Sequence, residues 1–196
     1  MIITIARQCG CGAKHIGDLL SQRYGLRLYT RQNLMDMALE KGVLSEMSDF
    51  FEELPVDDLI NAISSFTDEH EEVRARFLRS FNNMIGEEDC IIIGRCGNYI
   101  FKQREDLVSV FLHGDKEQRV RNIVTEKRMS LYEAKEHVND IDDRRIAYHQ
   151  YYTGLTWGNA SDYNLSIDCC RLGAENSANI IEQYIELTKS KRVCRS

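Results

Sequence analysis

The chain has 196 residues, 43% hydrophobic and 29% charged, with seven cysteines, one proline (Pro55) and a formal charge of −6. That length suits a single domain, 1–196, burying roughly 70% of its unfolded surface without a staple. An acidic chain argues against a nucleic-acid polymer as partner, and no run reaches the ~20 apolar residues that a membrane helix needs.

In chain order, Ile2 to Ala6 reads as a strand buried on both faces, and Lys14 to Tyr24 as a helix stopped by Gly25. Leu26 to Tyr29 is a short strand. The stretch from about 33 to 85 is expected to be helical, too long for a simple crossover, and to wall one side of a cleft. Within it, Asp68 with Glu71 resembles a capping box, and Gly86 ends the helix. Cys90 to Ile93 and Leu107 to Leu112 are further buried strands. Asp115 with Gln118 and Ser130 with Glu133 open two more helices, the second running to Tyr151. Tyr163 to Ile167 is the last strand and Asn176 to Thr188 the last helix. Strand–helix alternation of this kind implies a doubly wound α/β domain.

The opening Met1 to Ala6 is too short for a signal-peptide core, so reduced thiols in a cytoplasmic setting are expected. Cys9 with Cys11, or Cys169 with Cys170, invite a metal reading. There is no Cys-x-x-Cys pair, and none of the five histidines has zinc-ligand spacing to a cysteine pair. The cysteines are therefore expected to be small apolar residues and not metal ligands.

The first strand runs into Arg7-Gln8-Cys9-Gly10-Cys11-Gly12-Ala13-Lys14 and then a helix. Small residues let successive backbone N–H groups converge on an anion, and the helix start adds unsatisfied donors. Cys9, Gly10, Cys11, Gly12, Ala13, Lys14 and His15 are the expected phosphate cradle, with Lys14 supplying full positive charge. The strict Gly-x-x-x-x-Gly-Lys-Ser/Thr pattern is absent. With Lys14 in the lysine slot, His15 replaces the Mg²⁺-binding hydroxyl; with Gly12 as the second glycine, Ala13 replaces the lysine. The bland alternative is an ordinary strand-to-helix turn.

Three further segments change the weight of that turn: Ile91-Ile92-Ile93-Gly94-Arg95-Cys96, Phe111 to Arg119, and Asp142-Asp143-Arg144-Arg145 through Tyr-Tyr-Thr-Gly at 151–154 to Trp157-Gly158. With the turn, in this order, they resemble the cytidylate-kinase-like family of nucleoside-monophosphate kinases. The resemblance implies a three-layer P-loop NTPase-type fold, a five-stranded parallel sheet flanked by helices. It also implies a helical acceptor-binding region near 33–85 and a mobile lid near 128–158. The implied reaction moves the γ-phosphoryl group of ATP, with Mg²⁺, to a nucleoside monophosphate.

In cytidylate kinases the third strand ends in Asp-Gly-Arg-Asp. Here Ile93-Gly94-Arg95-Cys96 keeps Arg95 for an acceptor phosphate and lacks both carboxylates. The Asp that opens the acceptor segment is matched by Thr30. Arg144 and Arg145 fall at lid-arginine positions; adjacent arginines on a helix diverge by about 100°, so one is expected to face the cleft. Arg128 is expected to close on phosphate, and Arg171 to pack along adenine in a loop from Asp168 to Ala174. Arg119 and Arg121 read as surface charge; the bland alternative for Arg144 and Arg145 is a pair of surface arginines balanced by Asp140, Asp142 and Asp143. Tyr148, Tyr151, Tyr152 and Trp157 read as packing more than base stacking. A nucleotide-binding regulator without turnover, and a kinase for a non-nucleotide metabolite, remain open. The apolar content from Leu44 to Phe81 suits either a cleft wall or a homodimer contact.

Overall fold

The computed structural model describes residues 1–51 and 68–193, and its five strands form one parallel sheet of order β2-β3-β1-β4-β5. The strands are β1 (Ile2–Arg7), β2 (Arg27–Tyr29), β3 (Cys90–Ile93), β4 (Leu107–His113) and β5 (Leu165–Asp168). The helices are α1 (Ala13–Tyr24), α2 (Arg31–Glu40), α3 (Leu44–Phe51), α4 (Asp68–Ile85), α5 (Gly97–Ile100), α6 (Lys116–Lys127), α7 (Leu131–Thr153) and α8 (Cys169–Val193).

β1 lies at the centre, with Ile3 level with Ile91 on one side and Val108 on the other. Because side chains alternate across a strand, its isoleucines serve two cores. Ile2, with Cys90 and Ile92, meets Phe50, Phe81, Met84 and Tyr152 from the helices on one face. Ile3 and Ile5, with Ile91 and Val110, meet Ile16, Leu20, Ile181 and Ile185 of α1 and α8 on the other. From β1 the chain moves toward one edge and returns through β3; it then crosses to β4 on the far side. Crevices at such reversals, beyond the carboxyl ends of the strands, are where ligands bind in open α/β sheets.

Four of the helix signals hold, while the side chain of Asp68 lies outside the described part of the structure. Gly25 caps α1 in the left-handed conformation (φ 65°), and Gly86 (φ 59°) follows α4. The Asp115 side chain accepts from the Gln118 N–H at 2.9 Å, and Ser130 with Glu133 forms a reciprocal capping box. Part of the helical expectation for 33–85, including Pro55, lies outside the described residues.

Two boundaries differ. The last strand begins at Leu165, because Ala160–Asp162 forms a short 3₁₀ turn and the Asn164 side chain takes the Ser109 N–H at 2.8 Å. The segment after Asp168 is not a loop: α8 starts at Cys169 and breaks at Gly173 (φ 75°, ψ 171°) before continuing. Glycine tolerates that backbone state and lets two helical pieces abut.

Candidate functional site

The glycine turn between β1 and α1 is held from outside by α6 and α7. Gly10 has φ 80°, and a Cβ there would run into the Arg119 carbonyl, so the turn sits directly on α6. Asn122 Nδ2 donates to the Gly10 carbonyl at 2.8 Å, and Gln8 Oε1 accepts from the Gly114 N–H at 3.1 Å. Arg119 is buried, which corrects its reading as surface charge. Its guanidinium donates to the carbonyls of Cys9 (3.1 Å) and Gly114 (3.0 Å) and to Asp142 Oδ2 (2.6 Å). Asp142 is likewise not solvated, since its other oxygen accepts from the Cys9 N–H at 2.7 Å. Both residues lie on polar helices in the sequence, and docking of α6 and α7 on the turn buries them. Arg121 is exposed, as expected. Burial among Val120, Ile123, Ala134 and Val138 raises the Cys9 thiol above its ordinary value.

A cleft of about 500 Å³ opens on this turn. It is lined by residues Cys9 to Lys14 and by the cations Arg7, Lys14, Arg31, Lys127 and Arg145, with Glu126 as its carboxylate. The first amides of α1 have no intrahelical partner, as at any helix start. Lys14 is exposed and pairs with Asp18 at 2.8 Å. His15 lines a neighbouring pocket on the other side of the turn. Arg128 caps α6 with φ 56° and is exposed outside the cleft; the chain places Lys127 there instead. Arg171 is exposed on the first turn of α8 and lines neither pocket, because the expected loop is helical.

Next to the cleft, four arginines line a smaller space of about 50 Å³: Arg7, Arg95, Arg144 and Arg145. Arg7 and Arg145 border both spaces and so join them. The β3–α5 turn supplies Gly94, Arg95 and Cys96, all left-handed (φ 80°, 56° and 53°). Such conformations cost a non-glycine residue about 1 kcal/mol or more and gather at functional sites. A Cβ on Gly94 would overlap the Arg7 guanidinium, so that glycine admits Arg7. Arg95 is buried; it donates to the Phe50 carbonyl at 3.0 Å and lies over the Tyr148 ring at 5.1 Å.

Arg145 donates to the Arg7 carbonyl at 3.1 Å and borders the larger cleft. Arg144 borders only the smaller space and pairs with Asp140 at 3.0 Å. Both arginines thus border the smaller space, and of the two Arg145 also borders the cleft on the glycine turn. Tyr148 and Tyr152 pack with Phe50, and Trp157 packs edge-on against Phe111.

Sequence reasoning missed Arg7, Lys127 and His149. Arg7 carried a signal, as the last residue of β1 before the glycines. His149 carried none, because only the tertiary fold buries it beside Cys96, 3.7 Å from Nδ1 to Sγ. Burial lowers its pKa to about 4, so the ring is neutral at pH 7. His149 Nε2 and Thr4 Oγ1 are buried with no hydrogen-bond partner among the described residues, and both residues line the small space.

The fold also unites cysteines that the sequence presents as separate pairs. Cys11 meets Cys169 and Cys170, while Cys9 faces α6 and α7. No described helix is long and apolar enough to cross a membrane.

A protein of undescribed function from Eubacterium ventriosum ATCC 27560 shares the fold at TM-score 0.74 and 22% identity, over 95% of this chain and 98% of that one. A gluconokinase from Sinorhizobium meliloti 1021 follows at TM-score 0.54 and 12% identity, over 96% and 95%. A shikimate kinase from Bacteroides thetaiotaomicron does so at 0.50 and 12%, over 95% and 98%. No curated protein matches the sequence. A family model described as the cytidylate kinase-like family matches residues 2–170. The chain belongs to the cytidylate kinase-like family.

Proposed function

We propose that this protein transfers the γ-phosphoryl group of ATP to a small phosphorylated acceptor, in the first instance a nucleoside monophosphate. The observation that carries this reading is the continuity of two cationic spaces through Arg7 and Arg145. The ATP phosphates lie in the larger cleft against the turn amides, with Lys14 and Lys127 at its edge. The acceptor phosphate reaches Arg95 and Arg144, and Arg145 stands where the transferred group passes. Phosphoryl transfer asks mainly for positioning and for neutralisation of spreading negative charge, which rigid guanidinium groups supply.

Mg²⁺ fits this site only loosely. The turn offers His15 where a hydroxyl ligand is usual, and Asp18 is engaged by Lys14. Mg²⁺ tends to keep water and substrate oxygens around it, so the nucleotide phosphates would hold it, with Glu126 as the carboxylate lining the cleft. Its contribution there is charge neutralisation.

A second reading, a kinase for a non-nucleotide metabolite, is favoured by one feature. No carboxylate is among the described residues lining the arginine-rich space, so the paired carboxylates of cytidylate kinases have no counterpart there. A coupled ADP-release assay with Mg²⁺-ATP, run across nucleoside monophosphates and small phosphorylated metabolites, decides between them. Turnover confined to one class selects that reading. No turnover with any acceptor, while ATP at a hundredfold excess stabilises the fold by the expected ~2.7 kcal/mol, leaves a nucleotide-binding protein and refutes the kinase.

A further inference from the structure

On the side of the glycine turn away from the arginines, Cys11, Cys169 and Cys170 converge. Their sulfur atoms all lie within 4.8 Å of one another, the one such cluster of potential metal ligands among the described residues. They come from two distant parts of the chain, the turn after β1 and the start of α8, which parallel pairing through β4 brings level. We propose that these three thiols form a binding site for a thiophilic d¹⁰ metal ion, with Zn²⁺ as the ion and solvent as the fourth ligand.

The geometry is close to what such an ion requires. Zinc–sulfur bonds of about 2.3 Å set tetrahedral sulfurs roughly 3.8 Å apart, so each sulfur needs to move only about half an ångström. Cys11 and Cys169 are buried and Cys170 is half-buried. The site nevertheless has an entrance, because all three line one open pocket of about 290 Å³ with His15, Gln118 and Asn122. That pocket gives the ion a path and gives the fourth ligand room.

Two neighbours fit the assignment. Gly114 makes space for a thiol: a Cβ there would overlap Cys170 Sγ. The buried Arg119 guanidinium, its charge taken by Asp142, donates to the carbonyls of Gly114 and Cys9 and so fixes the backbone on both sides of the cluster. Soft sulfur donors select such metals over Mg²⁺, so this site is distinct from any Mg²⁺ carried by a nucleotide. Binding replaces the three S–H protons by one ion and releases them to water, with no change of oxidation state. The bound ion ties the turn after β1 to the start of α8. None of this depends on the kinase reading, since the test below uses no nucleotide.

The test is Co²⁺ titration of the reduced full chain under argon, followed by the sulfur-to-cobalt charge-transfer absorption. One equivalent should saturate it, and Zn²⁺ should displace it. Cys11→Ser, Cys169→Ser and Cys170→Ser should each weaken binding by about a hundredfold, whereas Cys9→Ser and Cys90→Ser leave it intact. Gly114→Ala, which keeps every thiol, should weaken it by about tenfold. X-ray absorption of the Zn²⁺-loaded wild type needs no variant and should show three sulfurs at about 2.3 Å. No band at one equivalent, a band unchanged in the triple serine variant, or a zinc shell without sulfur overturns the proposal. So does a Cys11–Cys169 disulfide formed with oxidised glutathione in a protein whose reduced form takes up no metal.

Discussion

The glycine-turn cleft and the arginine-lined space share the carboxyl edge of one sheet but are built in opposite ways. In the cleft, shape is fixed by buried groups behind the turn, Arg119 and Asp142, while the charges at its rim, such as Lys14, are exposed. In the smaller space, Arg95 is itself buried and already oriented by the Phe50 carbonyl and the Tyr148 ring. A charge at an open rim attracts but is easily replaced. A charge fixed in a dry pocket acts in a low dielectric and is expensive to alter. Changes behind the turn should therefore cost stability, changes at its rim should cost affinity, and changes where the two spaces meet should cost rate.

The largest effect is expected at the junction. Arg145→Ala should lower kcat/KM about a thousandfold, about 4 kcal/mol, with ATP affinity little altered. Arg144→Ala, confined to the smaller space, should lose far less. Steady-state rates with the acceptor found by the coupled assay measure both, and equal losses would erase the distinction between the two arginines.

Behind the turn, Asp142→Asn should remove about 3 kcal/mol of stability in urea unfolding, because it leaves the buried Arg119 charge without its carboxylate. A loss under 1 kcal/mol would mean that this pair behaves like a surface ion pair.

Acid should act on the other side. His149 is depressed in the fold, so the unfolded chain takes up the proton first. Its contribution is whole above pH 6.5, is lost as pH falls toward about 4, and amounts to roughly 3 kcal/mol. Urea midpoints between pH 7 and 4 should fall less steeply in His149→Gln than in the wild type, and parallel curves would remove His149 from the account.

Gly10→Ala should cost about 2 kcal/mol, since it meets both a left-handed backbone and the Arg119 carbonyl. The smallest change belongs to the rim. Lys14→Ala should weaken ATP binding about tenfold by calorimetry and leave the melting temperature unmoved, because an exposed ion pair contributes little to stability.

Much of this architecture was legible in the chain. Continuous Ile and Val runs announced a sheet buried on both faces, and the caps at Asp115 and Ser130 marked helix starts, because these signals act within a few residues. The tight turn between β1 and α1 was legible too, since glycines between a strand and a helix constrain the backbone locally.

Contacts between distant segments were not legible. Arg119 and Asp142 look like charges on solvated helices, and only their docking on the turn makes them its support. His149 looks like any helical histidine until α7 is laid across the sheet. Arg171 was expected in a loop, and the break at Gly173 puts it on an exposed helical turn. Cys11 and Cys169 lie 158 residues apart, yet the thiol of one donates to the carbonyl of the other at 3.4 Å. The sequence determined by itself which segments become strands and helices and where the glycine turn lies, because backbone preference and side-chain period are local. Only the tertiary structure decided which charges are buried, which arginine joins the two spaces and which thiols meet, because burial and proximity belong to the packed whole.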